Sequence, residues 1–248
     1  MIKSEKYIVG TEKDDVYKSL FKMIPKDDKY MHLRLSGALN NICTDIYFLT
    51  HDDGKGISRV WMGYGKHENS VCNWGAVYTE AEYRGKGYCA KNLDYCFEEI
   101  DALNDPPLAL FCSAGDVAAL YRRYGFVPAL KGTEKGPMYR PCSNSPKTFQ
   151  EFCESYYIPT DELFIIDADF GWRNEIDCLL RFALLDIGEI FGINGVDELR
   201  VLLMEEPERA KIILTKENRC VGWSVDGTIQ LHPKYRYVKN ITVVKNKS

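Results

Sequence analysis

The sequence predicts a mixed α/β chain, an α+β arrangement built in two parts, residues 1–141 and 142–248. Three observations carry this expectation. Short runs rich in aromatic and β-branched residues alternate with stripes of helical period. A connector, Pro141-Cys142-Ser143-Asn144-Ser145-Pro146, separates periodic segments with two prolines. Charge also divides there: residues 1–140 hold 19 acidic and 19 basic side chains, whereas 141–248 hold 17 and 13, the whole of the net −4.

Taken in order, Asp14–Met23 reads as a short helix ending before Pro25. Asp45–Thr50 and Ile57–Tyr64 read as strands joined by the turn residues Asp52-Asp53-Gly54-Lys55-Gly56. His67-Glu68-Asn69-Ser70 is another turn. Val71–Thr79 follows as a strand, with Val71, Asn73, Gly75, Val77 and Thr79 on one face and Cys72, Trp74, Ala76 and Tyr78 on the other. Over Gly85–Ile100, the spacing of Cys89, Leu93, Cys96/Phe97 and Ile100 predicts an amphipathic helix. Leu108–Cys112 reads as a buried strand. Asp116 is a candidate cap for a helix through Tyr124, and Phe126–Leu130 and Pro137–Arg140 form a last strand pair. Beyond the connector, Thr148–Tyr156 is a helix candidate. Glu175–Phe191 shows the strongest helical stripe, stopped by Gly192, and Asp197–Glu205 is a shorter helix stopped by Pro207. Lys211–Lys216, Cys220–Val225 and Thr228–His232 read as strands, with Asp226-Gly227 as a tight turn.

Composition excludes several classes. With 45% hydrophobic and 27% charged residues, the chain has enough apolar surface to fold. The small negative charge argues against nucleic-acid binding. The longest apolar-rich stretch, Ile176–Ile193, is broken by Asp177, Arg181, Asp186 and Glu189, so no membrane span is expected. The N-terminus leads into no uninterrupted apolar stretch like that of a signal peptide, and a cytoplasmic protein is expected. Its nine cysteines are then thiols, and the absence of any C-x-x-C pair argues against a metal site.

The chemistry concentrates in Val77-Tyr78-Thr79-Glu80-Ala81-Glu82-Tyr83-Arg84-Gly85-Lys86-Gly87-Tyr88-Cys89-Ala90. A strand runs into a glycine-bearing turn that opens a helix. Amides at a helix start point outward, backed by the positive end of the dipole, and bind phosphate. Gly85 and Gly87 permit tight curvature and close approach, while Arg84 and Lys86 add charge. The P-loop and Rossmann patterns are both absent. Read alone, this segment could equally be a tight turn with solvated basic residues.

A second segment, Leu120-Tyr121-Arg122-Arg123-Tyr124-Gly125-Phe126, follows after one more strand. With both segments in order, the chain resembles the GNAT superfamily of acyl-CoA-dependent N-acetyltransferases. The family's Arg/Gln-x-x-Gly-x-Gly/Ala is matched by Arg84 through Cys89 in all but the last residue, and its Leu-Tyr-x-x-x-Gly-Phe is met by Leu120–Phe126. The resemblance is best over Ser58–Tyr139, faint before it and absent beyond about 141. It implies a splayed, partly parallel mixed sheet flanked by helices, with acetyl-CoA as cosubstrate and no metal. It further implies that the backbone of Val77, Tyr78 and Thr79 pairs with the acyl and pantetheine amides. The amides from Gly85 through Lys86, Gly87, Tyr88, Cys89 and Ala90 would hold the pyrophosphate, with Arg84 beside them. Tyr121 matches the tyrosine that in many members protonates the departing thiolate, and a phenol can donate at neutral pH.

Three positions depart from the family: Cys89 closes the turn motif, Ala114 stands where an asparagine is common, and Ala109 where some members have a basic glutamate. A base must come from elsewhere, and Glu80, Glu82, Glu68, His67 and Asp45 are candidates. Trp61, Tyr64, Trp74 and Tyr78 either line an acceptor pocket or belong to the core. The expected activity is acetyl transfer to a primary amine of a small molecule or peptide. The alternative is a non-catalytic acyl-CoA sensor or scaffold. Residues 142–248 read as an α+β accessory domain, whose long amphipathic helix either packs against its own domain or makes it a candidate homodimerisation module.

Overall fold

The structure is a computed structural model that describes residues 1–244 apart from 12, 143 and 190, with the backbone alone over 191–196. It is mixed α/β, with helices flanking sheets that include one parallel strand pair. Two compact units result: Met1–Lys66 with Cys72–Pro106, and His67–Val71 with Pro107–Ser248.

The first unit contains β1 (Ile2–Ile8), α1 (Asp14–Met23), α2 (Lys29–Leu35), β2 (Cys43–Asp52), β3 (Lys55–Gly65), β4 (Cys72–Thr79) and α3 (Tyr88–Asp101). Its four strands form an antiparallel meander in chain order. β2 is buried almost throughout, because both faces are covered. Tyr47 and Leu49 pack with Val16, Leu20 and Met31 of α1 and α2. Phe48 meets Tyr95 of α3, and Asn92 Nδ2 donates to its carbonyl at 3.1 Å. α2 begins at Asp28, whose carboxylate accepts from the Met31 amide at 3.0 Å.

β4 does not alternate as its sequence suggests. Gly75 (φ +155°) and Ala76 (φ +48°) form a bulge, so three steps along β4 match two along β3 between Arg59 and Trp61. The faces expected for Val71 through Thr79 therefore exchange at this point.

The second unit contains β5 (Ala109–Ser113), α4 (Ala118–Arg122), β6 (Val127–Pro128), β7 (Pro137–Pro141), α5 (Phe149–Tyr156), β8 (Glu162–Asp167), α6 (Arg181–Asp186), α7 (Phe191–Glu205), β9 (Ala210–Leu214), β10 (Cys220–Val225), β11 (Thr228–Leu231) and β12 (Asn240–Val243). β7 pairs antiparallel with β5 and with β6. The five-stranded sheet has the order β11-β10-β9-β8-β12, its last pair parallel. α5 starts with a capping box between Thr148 and Glu151 and sets Phe149 and Phe152 against Phe111 and Tyr139.

The helix expected over Glu175–Phe191 is a π-helical stretch, Glu175–Leu180, running into α6. Gly188, not Gly192, ends it: at φ +78° its amide donates to Leu185 O and the Glu189 amide to Leu184 O. Gly192 lies inside α7, which begins before the expected Asp197. Asp116 does not cap α4. Its carboxylate pairs with Lys135 on the surface, and Val117 is the residue at the helix start.

Candidate functional site

β4 ends at Thr79, and a short helical turn, Ala81–Tyr83, leads to Arg84. Gly85 (φ +73°) and Gly87 (φ +83°) are both left-handed, and nothing stands within 4 Å of where a Cβ would sit on either. The turn is therefore curved by its glycines and open above them. Gly87 caps α3, whose first helical bond runs from the Lys91 amide to the Gly87 carbonyl. No side chain caps this helix start, and helix geometry aims its leading amides outward. The 14 residues of α3 place the positive end of an aligned dipole behind them.

The basic residues are held by their neighbours. Arg84 Nε donates to the Thr79 carbonyl at 2.9 Å, and its guanidinium lies 5.7 Å from the Tyr78 ring centre. Lys86 lies over Tyr83, on which Tyr88 packs edge-on. The carbonyl of Tyr78 accepts from Ser58 Oγ at 3.2 Å. Cys89 is half-buried, and burial raises its thiol pKa against the opposing bond to Thr79. An open glycine cradle at a helix start with two cations at its rim fits a pyrophosphate.

Tyr121 belongs to the second unit. It sits in α4 at 7% exposure, 6.0 Å from Phe126, whose amide donates to the Tyr121 carbonyl. Ala109 and Ala114 are buried apolar residues.

The five candidate bases separate clearly. The Asp45 carboxylate is buried, takes the Trp61 indole N–H at 2.8 Å and pairs with Arg34 at 3.3 Å. Glu82 pairs with Lys55, which holds it below the usual carboxylate range. Glu68 accepts from Asn218. His67 stacks on Trp172 at 3.7 Å. Its Nδ1 faces Glu68 O at 3.1 Å, and its Nε2 faces both Gly171 O and the buried Glu175 carboxylate at 3.3 Å. Oxygens on both sides of the ring select the imidazolium, so His67 is a cation rather than a base. Among the described residues, Glu80 has no cation within ion-pair distance, and its Oε2 accepts from the Tyr78 hydroxyl at 3.1 Å. Trp61 and Trp74 are core residues, whereas Tyr78 is half-buried beside the bulge.

No family model and no curated protein matches the sequence. Solved structures do. An acyl-CoA N-acyltransferase from Pseudomonas aeruginosa is 16% identical, with a TM-score of 0.43 over 56% of this chain and 99% of its own. A GNAT family N-acetyltransferase from Escherichia coli in complex with CoA is 16% identical, with a TM-score of 0.42 over 58% of this chain and 84% of its own. A GNAT family acetyltransferase from Staphylococcus aureus is 13% identical, with a TM-score of 0.42 over 58% and 100%. The second and third of these are described as GNAT-family acetyltransferases and the first as an acyl-CoA N-acyltransferase. They leave more than a third of the chain unmatched.

Among the described residues, no group of three His, Cys, Asp or Glu side chains is arranged to hold a metal ion, and no helix is long and apolar enough to cross a membrane.

Proposed function

We propose that this chain is an acyl-CoA-dependent N-acyltransferase of the GNAT type that moves an acetyl group from acetyl-CoA to a primary amine of a small molecule or peptide by direct attack. The observation that carries the reading is the β4–α3 turn, with Gly85 and Gly87 left-handed and open at the start of α3. In this reading the amides from Gly85 to Ala90 take the pyrophosphate, and Arg84 and Lys86 balance its charge. Bulging at Gly75 and Ala76 interrupts the β3–β4 ladder just ahead of Val77, Tyr78 and Thr79, the residues assigned to the pantetheine amides.

The amine nitrogen bonds to the thioester carbonyl carbon as the carbon–sulfur bond breaks. The Tyr121 hydroxyl gives its proton to the departing sulfur, which improves the leaving group. The surplus proton on the amine passes to water or to a carboxylate, and Glu80 is the candidate without a cation partner. Residues 142–248 are an accessory domain in this reading and a candidate surface for a second copy.

The buried alanines at 109 and 114 favour one second reading, a non-catalytic acyl-CoA sensor. Titration with acetyl-CoA followed by an amine panel separates the two. The enzyme binds acetyl-CoA and releases free CoA with an accepted amine, whereas the sensor binds without turnover. Gly87→Val weakens binding in both, since a left-handed β-branched residue costs roughly 1–2 kcal/mol and fills the cradle. Acetyl-CoA binding unchanged in Gly87→Val rejects the assignment of this turn.

A further inference from the structure

Two arginines are buried in the first unit, and only one has a counter-ion. Arg34, 1% exposed, pairs with Asp45 at 3.3 Å and donates to the Tyr30 hydroxyl. Arg59, 5% exposed, has no carboxylate within 4.0 Å among the described residues. Its Nη1 donates to the Ala76 carbonyl at 2.6 Å, and its Nε donates weakly to Met23 O at 3.4 Å. Its ring neighbour is Tyr78, at 5.5 Å. No described group pairs with Nη2. Nη2 is not sealed from solvent, whereas the rest of the guanidinium is satisfied only by carbonyls, which return little of the lost hydration. Burial accordingly lowers its pKa. Asp45 shows that this unit can supply a carboxylate to a buried arginine, yet Arg59 has none.

The location of Arg59 suggests what completes it. Ala76 is the bulge residue of β4, the strand that leads into the Gly85–Gly87 turn. On the acyltransferase reading, on which this inference rests, the same strand runs along the reacting end of the cosubstrate. We propose that Arg59 is a specificity residue whose open donor receives a carboxylate carried by a substrate of the transfer. Two sources share this chemistry: an amino-acid acceptor, or an acyl group that itself ends in a carboxylate. The charged and titratable groups around Arg59 are Asp28, Glu80, Tyr47 and Tyr78. Asp28 is engaged in capping α2 and Glu80 in accepting from Tyr78, and both lie beyond ion-pair distance of Arg59. As acids they suit the ammonium of a zwitterion whose carboxylate meets Arg59. Arginine's planar fork matches a carboxylate better than any other common anion except phosphate.

The test has two arms on the full chain. In the first, acetyl-CoA is supplied with amino acids and with their amides. In the second, succinyl-CoA and butyryl-CoA are compared with one accepted amine. The expected result is a preference for the carboxylate form of roughly 10- to 100-fold in one arm, the range for a charge-assisted hydrogen bond. The preferring arm identifies the source. Arg59→Met abolishes the preference and Arg59→Lys retains part of it. The wild-type comparison stands even if Arg59→Met fails to fold. Acetyl-CoA binding and turnover with no carboxylate preference in either arm overturns this assignment alone, as does a preference that persists in Arg59→Met. Absence of CoA binding, read separately by thermal shift, overturns the acyltransferase reading and this assignment with it.

Discussion

Replacing Glu175 with glutamine removes the carboxylate that holds His67 as a cation. Glu175 is fully buried. One carboxylate oxygen accepts from the Val71 amide at 2.7 Å and the other faces His67 Nε2 at 3.3 Å. Burial works against the charge on His67, but the Glu175 carboxylate and the carbonyls of Glu68 and Gly171 outweigh it and raise the imidazole to about 9. His67 keeps its proton in the folded chain up to about pH 9 and in the unfolded chain only to about 6.5. The pair's stabilisation is therefore whole below pH 6.5 and is lost as pH rises through 9. The gap between those two values corresponds to roughly 3 kcal/mol. For a chain of this length that is about 6–12 °C in melting temperature. Calorimetry on wild type and Glu175→Gln at pH 6, 7.5 and 10 should show the full difference at pH 6 and convergence by pH 10. A difference that is constant across the three values would refute the assignment of a charged His67.

Three further predictions follow from particular contacts. Asp45→Asn leaves the Arg34 guanidinium buried without its counter-ion and should destabilise the chain by about 3–5 kcal/mol in chemical denaturation, since an uncompensated buried charge is costly. Thr148→Ala removes the hydroxyl that accepts from the Glu151 amide and should cost about 1 kcal/mol in the same assay. Tyr121→Phe should lower acetyl-transfer turnover on the order of 100-fold while leaving the Kd for acetyl-CoA within about twofold, the pattern of a lost general acid. Equal turnover in that variant would remove Tyr121 from the chemistry.

The parts of the fold legible in the sequence are those whose burial follows one period. α1 and α3 carry such a pattern, β2 and β3 are legible from their aromatic and β-branched content, and the glycines of the β4–α3 turn stand where a left-handed backbone requires them. What escaped detection had a physical reason each time. β1 carries Lys3, Glu5 and Lys6, suiting an edge strand that needs little apolar surface. α2 reads Lys-Tyr-Met-His-Leu-Arg-Leu, an alternation closer to a strand, and forms a helix under its Asp28 cap. The β4 bulge is invisible because Ala76, a residue without turn preference, adopts the left-handed conformation. Gly188 and Gly192 are equally plausible helix stops by residue type alone. Only the pair of bonds closing at Gly188 distinguishes them.

The candidate site shows the same division. Its glycine turn depends on local sequence and is legible there. The isolation of Arg59 and the pairing of His67 with Glu175 depend on residues brought together by the fold, and no spacing rule announces them. His67 and Glu175 are separated by over a hundred residues, and the loop His67–Val71 joins the second unit through Glu175 and Asn174.

The β4–α3 turn as an acyl-CoA site is the central proposal. Calorimetric titration of the full chain with acetyl-CoA, beside Gly87→Val, tests it directly. Saturable binding by wild type and a Kd roughly 5- to 30-fold weaker for the variant are expected, the equivalent of the 1–2 kcal/mol strain at that position. No binding of acetyl-CoA by folded wild-type protein at millimolar concentration would contradict it.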